Sequence, residues 1–546
     1  MWQANVGSGS GRATTYKDLL TKMVGFATSQ GVDTVAVNAG GTGYVVGDII
    51  NLPHAGAFLL ARFEVLTVSA GAITSLRIVS NGAYGNRGTS ATVSAGGSNY
   101  AVGNILQVQG GSYRCRAKFS VATLSGSAVA TVTAFEDGGA YSSTPSNPAA
   151  TTKVGPTAGT GSGCTLTVTY SGLIGSTNLT TAGGTGTGAT VDITLAQTGA
   201  TEERNDNKAT FNSLTDEKEV VLKFDATGRT NKPYVGFCTG TTTSGINTRP
   251  FIAIIGMIAH NPAAAMSAQP NIVGTPGTFS TDGIYMMTDE NAAQEMDFWI
   301  TCDDLRIGGV YNINSGAANT DDGQYMQWYA GFMDTFATES ENPYPMFVGA
   351  TSRDRSVDPS TSQINHTGLA ECLAPTAASS PHYFYRVETG TWVNIQNSVN
   401  FGNDVYAPSG MGPMCKLQEP TSAGGLTPLE WVATATGSPL VLHNAIGSTS
   451  RGTVTRRLLP IPGTVDHFFP IPLTVISHPG TTTNQVQDTV RGQLRGFFWQ
   501  YNTDGSAATI TNFSEDYITI GSDRYRVFHN HVQTALYQFI AIKEDV

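Results

Sequence analysis

A chain of 546 residues has room for about three or four domains, and its 40% hydrophobic content gives each one a core. Charged residues are only 13%, against roughly 25% in an ordinary soluble protein. The net charge of −11 is spread without basic runs, which argues against a nucleic-acid binder. No apolar stretch approaches the ~18 residues that a membrane span needs, so no membrane insertion is expected.

The 63 glycines and the abundant Thr, Ser and Ala suit many short strands joined by tight turns. A surface so poor in ions points to burial against neighbouring subunits. The alternative is a secreted all-β protein with an uncharged polar exterior. The start of the chain shows no basic stretch followed by an apolar run, so synthesis and use in a cytoplasm, or exit by another route, is expected. Cys115, Cys164, Cys238, Cys302, Cys372 and Cys415 form no CxxC pair. They read as buried free thiols rather than as a metal or redox motif, with one disulfide formed after release as the alternative.

Residues 13–27, ATTYKDLLTKMVGFA, place Tyr16, Leu19, Leu20, Met23, Val24 and Ala27 on one face of a short helix. Thr15 and Asp18 resemble a capping box, and Gly31 offers a stop. A helix this short needs a body or a partner to dock on.

From residue 33 the period changes to two, and an internal repeat begins. GGTGYVVGDIINL (40–52) returns as GGSNYAVGNILQV (96–108), with Arg62 answered by Lys118 and Phe63 by Phe119 at the same offset of 56. The register holds to Ile73 and Val129, then slips by one, so that Gly82-Ala83-Tyr84 answers Gly139-Ala140-Tyr141. Each copy reads as strand, turn, strand, turn, strand. Gly47-Asp48 and Gly103-Asn104 are the repeat's turn positions, where these residue types tolerate positive φ. A phosphate cradle would need a helix directly after the glycines, and a β-rich run follows instead. GTGSGCTLTVT (159–169) and GTGTGATVDIT (184–194) form a shorter echo, separated by a stretch that reads as a surface loop or linker. The polar segment 196–210 marks a domain boundary.

Further on, 218–224, 233–238 and 251–259 are strand candidates, and 295–313 reads as a hairpin turning at Asp303-Asp304. In YMQWYAGFMDTF (325–336), Tyr325, Trp328, Tyr329 and Phe332 would share a helical face, but strand alternation fits as well. Residues 346–480 are loop-heavy, with Pro-rich turns. Strands return at 493–501, at 516–532 with Gly521-Ser522 in the turn, and at 536–544.

Chemistry is hard to find. HNH at 529–531 lies on one expected strand with His529 and His531 on the same face, and no third ligand can be named. Asp303-Asp304 and Asp321-Asp322 read as turn formers rather than as a glycosidase pair or a calcium loop. GxSxG, GxxxxGK[ST] and HExxH are all missing. Neither a catalytic residue, a cofactor site nor a metal site is assigned.

Four segments carry a resemblance: TTYKDLLTKMVGFA, DFWITCDDLRIGGVYN, YAGFMDTFATESENPYPMFVGA, and LRGFFWQYNTDG with ITIGSDRYRVFHNHVQTALYQFIAIK. With them the chain resembles structural proteins of the tailed-bacteriophage virion, and its repeat looks like β modules of phage tail and fibre proteins. The repeat domain reads as an insertion between the helix and the sheet domain, a departure that leaves the exact role open. The resemblance implies a non-enzymatic tail or baseplate subunit, assembled in a bacterial host cytoplasm into the virion. Its partners would be copies of itself and other virion proteins. Capsid decoration is the close variant. A receptor- or glycan-binding fibre or spike module is the alternative, with Tyr325, Trp328 and Tyr329 stacking on a host surface glycan. A tail enzyme that degrades cell wall is a third reading.

The expected fold is mainly β and multi-domain, with one short N-terminal helix. The divisions are an N-terminal helix or arm (1–32), a tandem β-repeat domain of small antiparallel modules (33–200), a central β domain (201–345) and a loop-rich, sandwich-like C-terminal region packed on it (346–546).

Overall fold

The computed structural model describes residues 7–134, 138–154, 160–172, 174–197, 199–206, 215–244, 247–274, 284–287, 295–314, 325–350, 352–354, 365–367, 382–388, 390–394, 468–477, 489–502, 517–520, 523–529 and 538–544. The chain is mainly β, in several antiparallel sheets with one short N-terminal α-helix.

That helix is Tyr16–Thr28. Thr15 caps it by accepting from the Asp18 amide at 3.0 Å. Asp18 answers one residue earlier than a standard capping box, accepting from the amide of Thr14 at 2.9 Å. The helix ends at Ser29, whose backbone is already extended. Gly31, expected as the stop, lies inside the next strand, Gln30–Thr42. Leu19, Leu20, Met23, Val24 and Ala27 are all buried, as are Phe26, beside Leu19, and Gly25, on the opposite side. The second contact comes from Phe58, whose ring would lie 2.2 Å from a β-carbon on Gly25. The stripe therefore docks on the chain's own body, in the largest core.

The two repeats build two modules of the same plan. In the second, the hydrogen-bonded order is Ala128–Ala134, Lys118–Ser125, Ile105–Val108, Ala149–Val154, Ser162–Tyr170, Gly88–Ser98. In the first, the same order is split between two sheets: Ala72–Ser80, Ala61–Ser69, Ile49–Leu52 and Ala182–Gly183 in one, and Leu179–Thr180, Thr187–Gln197 and Gln30–Thr42, then Ala83–Tyr84 and Ala57–Leu59, in the other. The pairings superpose residue on residue. Asn51 faces Ala182 as Gln107 faces Thr152, and Thr190 faces Thr180 as Thr165 faces Ala150. The echo at 159–169 and 184–194 is thus the closing strand of each module, and the stretch read as a linker supplies strands of the first. The second module is inserted whole within the first.

Its entry and exit are stitched together. The Ser171 amide donates to the Arg87 carbonyl at 2.8 Å, and the Gly172 amide donates to Asn86 Oδ1 at 3.0 Å. Each module keeps its own core, around Phe63 and Val191 in the first and Phe119 and Leu166 in the second. In each module the strands curl until Gln30–Thr42 meets Ala72–Ser80, or Gly88–Ser98 meets Ala128–Ala134. There Gly40 and Gly96 let backbones approach, since a β-carbon would sit 2.5 Å from the Ile73 carbonyl oxygen and 2.6 Å from that of Val129.

The other described residues lie mainly in three layers. The middle one is a seven-stranded sheet, in order Gly7–Ala13, Glu295–Cys302, Arg306–Asn314, Tyr325–Phe332, Met346–Ala350, His382–Arg386, Thr391–Asn394. One face packs on the helix and on the sheet built from Ala200–Asp206, Thr215–Phe224, Tyr234–Ser244, Asn247–Met257 and Ile272–Val273. The other face packs on Phe468–Ser477, Thr489–Asn502, Gln538–Glu544, Asp523–His529 and Tyr517–Ile520. Gly199, at φ +111, turns the chain out of the first module against Asp303 and Asp304.

The crowded crossing generates a contrast. Gly96→Val should lower the stability of the full chain in urea denaturation by about 1–3 kcal/mol through overpacking. Gly103→Ala, with open space around it and φ of +84, should lower it only by the left-handed strain of about 1 kcal/mol. Equal losses would show that the crossing is not tight.

Candidate functional site

The three rings expected to meet a glycan are inside the protein. Tyr325, Trp328 and Tyr329 are 6%, 1% and 0% exposed, so none offers a face to a sugar. They lie on a strand, not a helix, and every residue of Tyr325–Phe332 is buried. Trp328 points into the core beside the helix, edge-on to Phe237. Tyr325 and Tyr329 point the other way, toward Phe528 and Phe497. The Tyr329 hydroxyl donates to the Phe332 carbonyl at 2.6 Å.

The turn positions are built alike in both modules. Gly47 and Gly103 have φ of +90 and +84, and their amides donate to the carbonyls of Val65 and Val121, both at 2.9 Å. Asp48 Oδ2 accepts from the Val45 amide at 3.0 Å, and Asn104 Oδ1 from the Ala101 amide at 2.9 Å. The two side chains then part. Asn104 is fully buried. Asp48 also accepts from the Thr185 hydroxyl at 2.7 Å and the Thr185 amide at 3.1 Å, tying the turn to the returning segment. The Thr185 hydroxyl, then the Val45 and Thr185 amides, hold the Asp48 carboxyl below its usual range. At the tips of these turns Val45, Val46 and Val102 stand exposed.

Asp303 and Asp304 do form the expected hairpin turn, and they are buried in it. Asp303 Oδ1 accepts from the Leu305 and Arg306 amides at 2.8 and 3.1 Å. Its other oxygen lies 3.3 Å from Arg306 Nε and 3.5 Å from Arg495 Nη1. Arg495 Nε reaches Asp334 at 3.1 Å. Burial pushes Asp334 up despite Arg495, and burial pushes the nearby Cys302 thiol well up. Carboxylates locked to arginines in this way lack the open groove a glycosidase needs.

Cys115, Cys164, Cys238 and Cys302 are buried thiols outside any disulfide. Among the described residues no group of three His, Cys, Asp or Glu could hold a metal, and no helix is long and apolar enough to cross a membrane. His529 ends the strand Asp523–His529. His531, Asp321, Asp322, Cys372, Cys415, Gly521-Ser522 and most of 346–480 lie outside the described residues.

A cleft of about 190 Å³ opens where the helix end meets both modules, lined by Gln30, Tyr84, Ser112, Tyr113, Arg114 and Tyr141 among others. Its polar groups are largely engaged. Tyr84 takes the Ala61 amide at 2.7 Å and donates to the Leu52 carbonyl at 2.8 Å. Arg114 pairs with Asp225 at 2.7 Å, and Tyr113 is covered by the Arg116 guanidinium. No nucleophile sits beside a base among the lining residues.

The side chains that sequence reasoning passed over are the ions at the joints. Glu64 of the first module binds Arg77 and takes Arg524 of the C-terminal sheet at 3.0 Å, and Arg524 reaches Glu544 at 2.9 Å. Lys118 of the second module binds Glu202 of the central sheet at 2.9 Å. One signal did exist. Arg62 and Lys118 hold the same repeat position; Arg62 feels the charges of Arg526 and Glu544 in the C-terminal sheet, and Lys118 binds Glu202 in the central one.

Asp48 gives a pH test. A carboxyl held low contributes stability above its ordinary value of 3.8, and loses it as pH falls through the lowered value. Asp48→Asn, which copies Asn104, should keep the turn at pH 7 and flatten the acid limb of a melting-temperature profile. An unchanged acid limb would place the sensitivity elsewhere.

No family model matches the chain, and no curated protein matches it.

Proposed function

We propose that the chain is a non-enzymatic structural subunit of a bacteriophage virion, of the tail or baseplate kind, which works by assembling with its own copies and with other virion proteins. The observation that carries this reading is where the charges and the apolar groups go. Buried ions tie the second module to the central sheet and the first module to the C-terminal sheet, while the turns of both modules expose valines. Such an exterior favours association through apolar burial over repulsion between like surfaces. The resemblance of the quoted helix and strand segments to virion proteins supplies the setting, and capsid decoration remains a variant of the same reading.

The test is the assembly state. Light scattering behind size exclusion should give a discrete multiple of the single chain, and a Val46→Asp, Val102→Asp double variant should shift it toward one copy. Antibody against the chain should label intact particles. A chain that stays single at every concentration, and that no particle carries, would remove the proposal.

A further inference from the structure

Lys118 opens the strand Lys118–Ser125 of the inserted module, and Glu202 lies in Ala200–Asp206 of the central sheet. Their side chains are 1% and 3% exposed, with Nζ 2.9 Å from Oε1. On the far side, Cys115 Sγ donates to Oε2 of the same carboxylate, also at 2.9 Å. An amine, a carboxyl carbon and a hydrogen-bond donor are thus fixed together, away from water, at the seam between two bodies. A buried ion pair carries a desolvation cost that an amide made from the same atoms does not. Groups held in register react as though at effective concentrations of about 10⁵–10⁸ M, and the water released leaves a dry site for bulk solvent.

We propose that Lys118 and Glu202 condense into an intramolecular isopeptide bond that fastens the inserted module to the central sheet. The ammonium passes one proton to Oε1, and the freed lone pair on Nζ attacks Cδ. Negative charge gathers on Oε2, where the Cys115 thiol stabilises it as an oxyanion donor would. A second proton moves from Nζ to Oε1, the Cδ–Oε1 bond breaks, and Oε1 leaves as water. Ammonium and carboxylate become one amide and one water, no electrons are exchanged, and the thiol is returned unchanged. The link rests on the geometry of this seam alone and is independent of the proposed virion role.

Intact-mass spectrometry of the purified full chain is the experiment. The expected result is a chain lighter by one water, with a proteolytic map in which the peptide holding Lys118 is joined to the one holding Glu202. Lys118→Arg and Glu202→Gln should each restore the full mass, with circular dichroism checking that they fold. Cys115→Ala should slow formation by about tenfold to a hundredfold. A natively folded parent that keeps its full mass after days at neutral pH overturns the proposal and leaves an ordinary ion pair. A Cys115→Ala chain that links as fast as the parent overturns the role given to the thiol.

Discussion

Closure of the first module is the constraint on which the rest of this architecture hangs. Its sheet lacks an inner partner for Gln30–Thr42 until Thr187–Gln197 returns to pair with it, and the whole second module lies between. An unpaired edge of that length is exposed to mispairing, and its closing contacts are long-range, which makes them slow to form. The stitched neck at Asn86–Arg87 and Ser171–Gly172 answers both problems. Once the second module has folded on its own core, its two ends are already side by side, and the returning strand arrives where it is needed.

A second theme is where a charge-poor chain keeps its ions. Arg306, Lys118, Glu202, Lys218 and Glu219 are all buried. Buried pairs add little net stability compared with apolar packing, yet removing one partner is costly. Their value here is selective. Glu64 accepts Arg524 from a sheet far along the chain, and Asp303 stands between Arg306 and Arg495. A sheet docked one register off would strand a charge in a dry seam, so these joints penalise wrong assembly within the chain more than they reward the right one.

What could be read from the residues, and what could not, follows from the same physics. Half-buried strands such as Ala61–Ser69 alternate, and the helix carries a one-sided stripe with a capping pair, so both were legible. Tyr325–Phe332 was ambiguous because it is covered on both faces, and a strand buried on both sides has no alternation to show. Gly31 looked like a helix stop only because the turn at Ser29 uses no special residue. The closing strands were visible as an echo, but their allegiance was not, since each pairs with a strand far back in the sequence, as Ser162 does with Ser98 and Thr187 with Thr42, and that leaves no local mark. The ionic seams were hidden for the same reason, although the cation shared by Arg62 and Lys118 hinted at them.

The adjacency of the inserted module's two ends also bears on how such a chain changes length over time. A unit that enters and leaves through one narrow neck can be exchanged without breaking the strand pairings of the module that holds it, provided its seam with the central sheet at Lys118 and Glu202 is rebuilt. Growth by nesting therefore adds a body to the chain without cutting a sheet already built.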